Sequence, residues 1–336
     1  MKNKILSLLI SGLMLILSAA AQTKTGTTIG QFLLIEPSAK LSAMGNAGVA
    51  TYDEALSSYY NPASLGHIAA SSVQFSHNAW YADITHDYFS ASLHITDISS
   101  LALSISTLNS GGIAVRTVEQ PLGTGEQYTV TDYSIGIGYG QKITDRFSAG
   151  IQVSYVQETI WHSALSLFSF NFGTLYKISD DGLMLGASIS NFGARGKYNG
   201  RDLRIRYDFD ATRNGDNSSL PAEFITDEFS LPIVFRVGFS YPVKLDESNE
   251  LHFVADAFHP SDNSESVSFG GEYKFMNTFA LRAGYQHLFQ TDSELGLTLG
   301  GGILWDIANY VIHIDYSSNA HKRLGNTQRM TIGMEF

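Results

Sequence analysis

The chain ends in the seven residues MTIGMEF, positions 330–336, which alternate apolar with small or polar side chains and finish on an aromatic one. Successive side chains of a β-strand point to opposite faces, so this stretch would have one apolar and one polar face. Strands of membrane β-barrels have that pattern, with apolar residues toward lipid. We predict that Met330, Ile332, Met334 and Phe336 mark the terminal strand and act as the assembly signal of a barrel.

The opposite end of the chain has the layout of a secretory signal peptide. Two lysines precede an apolar run at positions 5–17, and small residues follow up to Ala21. The run is shorter than a membrane-spanning helix needs, and the small residues suit cleavage before Gln22. We therefore expect residues 1–21 to be removed near Ala21/Gln22. An uncleaved N-terminal anchor helix is the alternative.

Composition limits the remaining classes. No later segment reaches about 18 consecutive apolar residues, which excludes a helical membrane protein. The mean hydropathy of -0.02 is what strands with one apolar and one polar face produce. The chain has no cysteine, which excludes disulfides and thiolate metal sites. Its formal net charge of -11 argues against a nucleic-acid partner.

Alternation with a period of two continues through most of the chain. We count about fourteen such segments of roughly nine to twelve residues after position 72, near the length of a tilted membrane strand. One of them places Ile151 and Val153 on one face and Gln152 and Ser154 on the other. The predicted fold is an all-β membrane protein, an antiparallel barrel of about 14 strands over residues 70–336. Other predicted inward residues are Arg236, Glu272, Lys274, Arg282, Gln286, His313 and Asp315.

The connections between these segments alternate in length. Short ones occur near positions 96–97, 144–145, 179–182, 276–277 and 306–309. Longer ones at every second junction include positions 109–130, 194–230 and 317–326. Bacterial barrels have short periplasmic turns and longer external loops, so both chain termini are expected in the periplasm. Residues 194–230 are predicted to form a large external loop.

Residues 31–66 differ from the rest because they lack the two-residue period. Asn61 and Pro62 suit a helix start, with asparagine as the cap and proline at the first helical position. A second short helix start is expected at positions 37–41. An apolar segment that is neither strand nor linker would bury itself inside the barrel that follows it. We therefore predict an N-terminal plug over residues 22–69.

Four motifs carry a family resemblance. FLLIEPSAKLSAMGNAGVA (32–50) contains the Met-Gly pair, YDEALSSYYNPASLG (52–66) contains an acidic pair and Asn-Pro-Ala, LPI stands at 231–233, and LGNTQRMTIGMEF closes the chain. Together they resemble the PorV/PorQ family of Bacteroidetes outer-membrane proteins, which are similar to the long-chain fatty-acid transporter FadL. Glu54 and Ser64 depart from the more usual aspartate and glycine. The resemblance places plug or gating positions at Met44, Gly45, Asp53, Glu54, Asn61, Pro62 and Ala63.

The resemblance implies a non-enzymatic role in type IX protein secretion. The chain would bind or shuttle secreted cargo as a monomeric barrel in the bacterial outer membrane, with secretion components or cargo proteins as partners and outer-membrane lipid around it. The alternative is FadL-like transport of hydrophobic small molecules. The polar inward positions favour the secretion role.

An enzyme is the third class that we considered. His86-Asp87 and His162-Ser163 are the candidate pairs, but neighbouring residues of a strand point to opposite faces. A serine hydrolase needs its histidine beside the serine and a third group that orients the histidine. The histidines also lack metal-ligand spacing. We therefore predict no catalytic residue, no cofactor and no metal site.

Overall fold

The computed structural model describes residues 25–210, 212, 219–290, 293–308 and 310–336. The predicted signal peptide and its cleavage site lie outside the described residues. Fourteen strands form the barrel wall, and a two-residue strand at Asn199–Gly200 joins the same sheet. The wall strands are β1 Ser72–Ala79, β2 Thr85–Thr96, β3 Ser99–Asn109, β4 Val130–Lys142, β5 Phe147–Ile160, β6 Ser163–Lys177, β7 Met184–Gly193, β8 Val234–Lys244, β9 Glu250–Pro260, β10 Ser266–Phe275, β11 Phe279–Leu288, β12 Leu295–Ile307, β13 Tyr310–His321 and β14 Gly325–Glu335.

The sheet closes on itself. Each strand pairs antiparallel with its neighbours in sequence, and β14 pairs with β1 from Ser72 opposite Glu335 to Ala79 opposite Gln328. Closure leaves no unpaired strand edge in the wall, which is the condition for spanning lipid with strands. The prediction of an antiparallel barrel of about 14 strands is confirmed.

The wall is apolar outside and polar inside. Outward side chains such as Ile137 and Trp305, each 63% exposed, have no protein contact that covers them. Inward side chains such as Gln152, Arg236 and Asp315 are buried. This distribution is the reverse of a soluble barrel and is typical of membrane barrels, in which lipid covers the outer face and polar groups lie in the lumen. The predicted alternation is confirmed, and no helix among the described residues has the length and hydrophobicity of a membrane-spanning helix.

The two rims of the barrel differ in their connections. One rim, here called the turn edge, carries the described residues of the connections 97–98, 143–146, 178–183, 245–249, 276–278 and 308–309. The other rim, the loop edge, carries the described residues of the connections 80–84, 110–129, 161–162, 194–233, 261–265, 289–294 and 322–324. The two longest predicted loops are therefore confirmed at the loop edge.

The predicted long loop at 317–326 is wrong. Ser317 through His321 continue β13 and pair with Arg329 through Gly325 of β14, which leaves only a three-residue turn at 322–324. The apolar alternation stops after Tyr316, but the part of a strand beyond the apolar band of a barrel does not need apolar outward residues.

The N-terminal segment runs through the lumen from one edge to the other. Thr28 forms a parallel bridge with Ser230 at the loop edge, whereas Ser71 accepts a hydrogen bond from the Phe336 amide at the turn edge. Short helices occupy the path between them: a 3₁₀ turn at Gln31–Leu34, α1 Ala39–Ala43, α2 Ser57–Tyr60 and a 3₁₀ helix at Pro62–His67. The expectation that both termini lie at the same edge is wrong for the first described residues, because this segment crosses the whole lumen.

The predicted helix starts are confirmed. Ser38 caps α1, with its side-chain oxygen accepting from the Leu41 amide. The Asn61 side chain accepts from the Ala63 amide, and Pro62 occupies the first position of the following 3₁₀ helix. Both caps satisfy amide groups that would otherwise be buried without partners.

Candidate functional site

The Met44-Gly45 pair lies against the inner wall formed by β10, β11 and β12. Gly45 has φ of 72°, and a Cβ there would lie 2.7 Å from the Phe269 carbonyl oxygen. Its amide donates to Thr298 Oγ1 at 3.1 Å, and the same hydroxyl donates to the Ala43 carbonyl at 2.9 Å. One wall threonine thus holds the backbone on both sides of Met44.

Glycines of the wall make room for the segment. On one side, a Cβ at Gly270 would lie 2.5 Å from the Met44 Cα, and one at Gly300 would lie 2.6 Å from the Ala43 Cβ. On the opposite side, a Cβ at Gly173 would lie 2.9 Å from Asn61 Cγ. Glycine inside a strand permits such close backbone approach. These glycines are a sequence signal for where the segment touches the wall.

Asn61 joins the segment to itself and to the wall. Its Nδ2 donates to the Val49 carbonyl at 2.7 Å and to the Thr174 carbonyl of β6 at 2.9 Å, while its Oδ1 accepts from the Ala63 amide at 3.0 Å. Ala63 packs with Val49 in a buried apolar cluster. Because Asn61 is fully buried, an apolar replacement would leave these carbonyl groups without a donor.

Near the turn edge, Lys40 of α1 forms an ion pair with Asp53. Burial alone would lower the pKa of Lys40, but the carboxylates of Asp53, Glu272 and Glu54 outweigh burial and hold that pKa above its ordinary value. Burial would likewise raise the pKa of Asp53, but the Lys40 ammonium holds it well below its usual range. Both groups are therefore charged at neutral pH.

Glu54 is in a different state from its neighbour. It is 5% exposed, its Oε1 accepts from Ser38 Oγ at 2.5 Å, and its Oε2 has no partner within the described part of the chain. Burial raises the pKa of Glu54 to about 7. The acidic pair predicted from sequence thus consists of one ion-paired carboxylate and one carboxyl group that titrates near neutral pH.

A chain of polar side chains links the wall to the segment. The Arg282 guanidinium donates to Glu272 and to Asp315, each at 2.5 Å. His313 contacts Asp315 through Nδ1 at 2.9 Å and Gln74 through Nε2 at 2.6 Å. Gln74 Oε1 then accepts from the backbone amide of Leu56 at 2.7 Å. The two-residue alternation predicted that most of these side chains face the lumen, but not which of them contact one another.

At the loop edge the upper part of the segment lies beside a cavity of about 410 Å³. Phe32, Trp80 and Phe258 contribute apolar walls, and the buried Arg236 lines one side. Arg236 donates to Ser190 Oγ at 3.1 Å and lies over the rings of Tyr59 and Phe258. The site therefore combines a filled lower lumen with a cavity at the mouth that is lined by apolar side chains, by the guanidinium of Arg236 and by the carboxylates of Glu36 and Asp262.

Neither of the two candidate catalytic pairs forms a catalytic arrangement. His86 and Asp87 lie on opposite faces of the wall, and His162-Ser163 lies at the loop edge. His86 contacts Ser106 inside the lumen at 2.9 Å, but Asp87 contacts His77 on the outer face at 2.6 Å. His162 contacts Asp202 and Arg201 at the loop edge. Across the residues that the structure describes, no three histidine, aspartate or glutamate side chains form a metal-binding group.

The predicted site residues fall into two groups. Met44, Gly45, Asn61, Pro62 and Ala63 are buried in the lumen, with Asp53 and Glu54 below them near the turn edge. Met330, Ile332 and Phe336 are exposed on the outer face of β14 and at its end, and Met334 follows the same parity. Their roles in gating and assembly stay predictions. Sequence reasoning missed the roles of Lys40, Gln74 and Thr298; the sequence signal for the two wall residues, Gln74 and Thr298, is that each lies at an inward position.

Solved structures similar to this chain include two toluene transporters and a FadL homologue. Superposition on the Pseudomonas putida toluene transporter TodX covers 88% of this chain and 96% of TodX, with 14% sequence identity and a TM-score of 0.56. For the Ralstonia pickettii toluene transporter TbuX, coverage is 90% of this chain and 98% of TbuX, at 12% identity and a TM-score of 0.55. For a Pseudomonas aeruginosa FadL homologue, coverage is 89% of this chain and 98% of the homologue, at 11% identity and a TM-score of 0.52. At these identities the likeness shows the barrel fold.

Among proteins with curated descriptions, none matches this chain significantly. The family model of the type IX secretion system protein PorV matches residues 18–256, which is more than half of the chain and includes the whole N-terminal segment that the structure describes. The chain belongs to the PorV family.

Proposed function

We propose that this chain is a non-enzymatic outer-membrane barrel that binds secreted cargo in type IX protein secretion. Membership of the PorV family is the observation that carries the proposal. In this proposal the turn edge faces the periplasm and the loop edge faces the outside, as short turns and long loops do in bacterial barrels.

Two features of the geometry support cargo binding over conduction. The N-terminal segment fills the lower lumen, so the barrel is not an open pore for proteins. At the loop edge, the two longest loops expose large apolar side chains, including Val118, Leu122, Phe224 and Ile225. Apolar residues exposed above the lipid are typical of protein-binding surfaces. We therefore place cargo contact at the loops and assign the N-terminal segment to closing the lumen.

The test is affinity purification of the tagged protein from gently solubilised outer membranes of its own host, followed by mass spectrometry. We expect secretion-system subunits or proteins with a common C-terminal sorting domain. A Phe224→Ser/Ile225→Ser double variant should lose most of this recovery, whereas Leu245→Ser, an exposed apolar residue at the turn edge, should not. Recovery of no such protein with the wild-type chain would refute the proposal.

FadL-like transport of a hydrophobic small molecule is the second candidate. The cavity of about 410 Å³ at the mouth favours it, because its walls include aromatic and aliphatic side chains. The same purification distinguishes the two functions when lipids and small molecules are extracted and identified as well. An enriched hydrophobic molecule without a protein partner would support transport.

A further inference from the structure

We propose that the stem of the long loop and the upper part of the N-terminal segment form a latch at the mouth of the barrel. The stem comprises residues 195–203 and 224–231, and the upper part of the segment comprises residues 28–36. When the loop is displaced, these segment residues are released while the lower part of the segment stays in place. The latch is internal to the chain and does not depend on which of the two functions holds.

The first element of the latch is a shared carboxylate. Glu158 of β5 is 7% exposed and accepts two hydrogen bonds. Its Oε1 accepts from the Gly30 amide at 2.6 Å, and its Oε2 accepts from the Tyr198 hydroxyl at 2.8 Å. Gly30 belongs to the segment and Tyr198 to the loop stem. One buried carboxyl group of the wall therefore holds both parts. Each hydrogen bond lowers the free-energy cost of burying Glu158, so loss of the Tyr198 donor weakens the contact with Gly30.

The second element is direct contact between segment and stem. The Ile29 amide donates to the Ser230 carbonyl at 3.1 Å, next to the parallel bridge between Thr28 and Ser230. Leu231 packs in one buried cluster with Ile29 and five other apolar residues, Phe32, Ile35, Val156, Leu165 and Leu167. Loss of this stem contact would expose the apolar side chains of the upper segment.

The two arms of the stem move together because they are bonded to each other. Gly196 and Phe229 exchange two backbone hydrogen bonds of 2.9 Å, and Thr226 Oγ1 donates to the Tyr198 carbonyl at 3.0 Å. At the outer end of the stem, the apolar side chain of Ile225 is 85% exposed. A displacement of the outer loop is thus passed to Tyr198, which bonds Glu158, and to Ser230, which bonds the segment directly.

The lower segment has separate anchors. Thr298 holds the backbone around Met44, Asn61 bonds the Thr174 carbonyl, and Gln74 accepts from the Leu56 amide. All of these partners lie on the wall below the mouth and outside the loop stem. Release of residues 28–36 therefore does not require release of residues 39–66.

Hydrogen–deuterium exchange of the full-length protein in lipid nanodiscs tests the latch. Tyr198→Phe removes a hydroxyl of the loop stem that does not contact the segment itself. We nevertheless expect the exchange rate at residues 28–36 to rise about fivefold, which is the effect of one lost hydrogen bond. Residues 39–66 should exchange at the wild-type rate. Tyr207→Phe, at an exposed tyrosine of the same loop, is the matched control and should change neither region.

Two outcomes would overturn the proposal. Exchange at residues 28–36 that stays at the wild-type rate in Tyr198→Phe would show that the loop does not hold the segment, whether or not the loop itself loosens. An equal rise across residues 39–66 would show that the whole segment opens as one unit.

Discussion

At the scale of single residues, the lumen contains groups whose state depends on their immediate partners. Asp53 and Glu54 are adjacent in sequence, but only Asp53 pairs with Lys40. Glu54 instead keeps one carboxylate oxygen without a partner within the described ranges. A buried carboxyl group of this kind is stable in its neutral form and costs free energy when it ionises.

The pH dependence of the segment should follow from Glu54. Its pKa is about 7 in the folded segment against an ordinary value of 4.5, so the stability it contributes is present below 4.5 and is lost as pH rises to about 7. We expect local opening near residues 52–60 to increase by up to about tenfold per pH unit across that interval and to level off above it. Hydrogen exchange of wild type and Glu54→Gln, compared at each pH, measures this.

Glu54→Gln should abolish the pH-dependent part of the opening, and Glu228→Gln, at an exposed loop residue, should leave it intact. If wild type and Glu54→Gln gave parallel profiles between pH 5 and 7, Glu54 would not control the segment.

Gly45 provides a second residue-scale prediction, since two glycines of positive φ differ in the space around them. Gly45→Ala would combine backbone strain with a Cβ 2.7 Å from the Phe269 carbonyl oxygen, whereas Gly26 has φ of 81° and open space. We expect Gly26→Ala to cost about 1 kcal/mol of local stability and Gly45→Ala about 1–3 kcal/mol more. Protease sensitivity of the N-terminal segment in the folded barrel measures the difference. Equal sensitivity of the two variants would contradict the packing described for Met44-Gly45.

At the scale of elements, the lower part of the N-terminal segment is held by side-chain caps and wall contacts in place of long helices. α1 and α2 are one turn each, too short to be stable by themselves. They persist because Ser38 and Asn61 satisfy backbone groups and because glycines of the wall let the backbone approach. The segment is therefore a folded insert whose shape depends on the barrel.

Replacing Asn61 and Pro62 together by alanine should loosen this insert. The change removes hydrogen bonds to two carbonyls and the cap of the 3₁₀ helix, at a cost of about 2–4 kcal/mol. We expect higher ion conductance in planar bilayers, because water and ions gain a path past the segment.

The control for this measurement is Asn326→Ala/Pro221→Ala, which changes the same residue types at exposed positions of the loop edge. Wild-type conductance of the Asn61→Ala/Pro62→Ala variant would contradict the role of residues 22–69 as a plug.

At the scale of the whole molecule, the path of the chain separates its two ends. β1 begins at the turn edge, and β14 ends there. Residues 25–28, by contrast, lie at the loop edge beside Asp262, which accepts a hydrogen bond from Thr28 Oγ1 at 2.6 Å. The segment therefore enters the barrel from the side of the long loops and leaves it at the side of the short turns.

This topology predicts an asymmetry in labelling of intact cells. The chain has no cysteine, so single cysteines can be placed freely. Thr25→Cys should react with a membrane-impermeant maleimide added outside, whereas Asp181→Cys, at an exposed position of the turn edge, should react only after the outer membrane is permeabilised. Labelling of Asp181→Cys but not Thr25→Cys in intact cells would invert the assigned orientation.

The sequence by itself determined the architecture. A two-residue period predicts the strand faces because side chains alternate along every strand, and the lengths of the connections predicted which edge carries the two long loops. Local signals also predicted the starts at Ser38 and Asn61, because capping depends on neighbouring residues. The resemblance indicated the family, and the family model confirms it.

Only the tertiary structure decided which residues meet across the lumen. Glu158 joins Gly30 to Tyr198, and Gln74 joins His313 to Leu56, over separations that no local pattern encodes. It also decided that the first described residues lie at the loop edge and that β13 extends past Ser317. The two-residue alternation predicts that a side chain faces the lumen. Which residue it contacts there depends on the closure of the barrel and on the path of the N-terminal segment inside it.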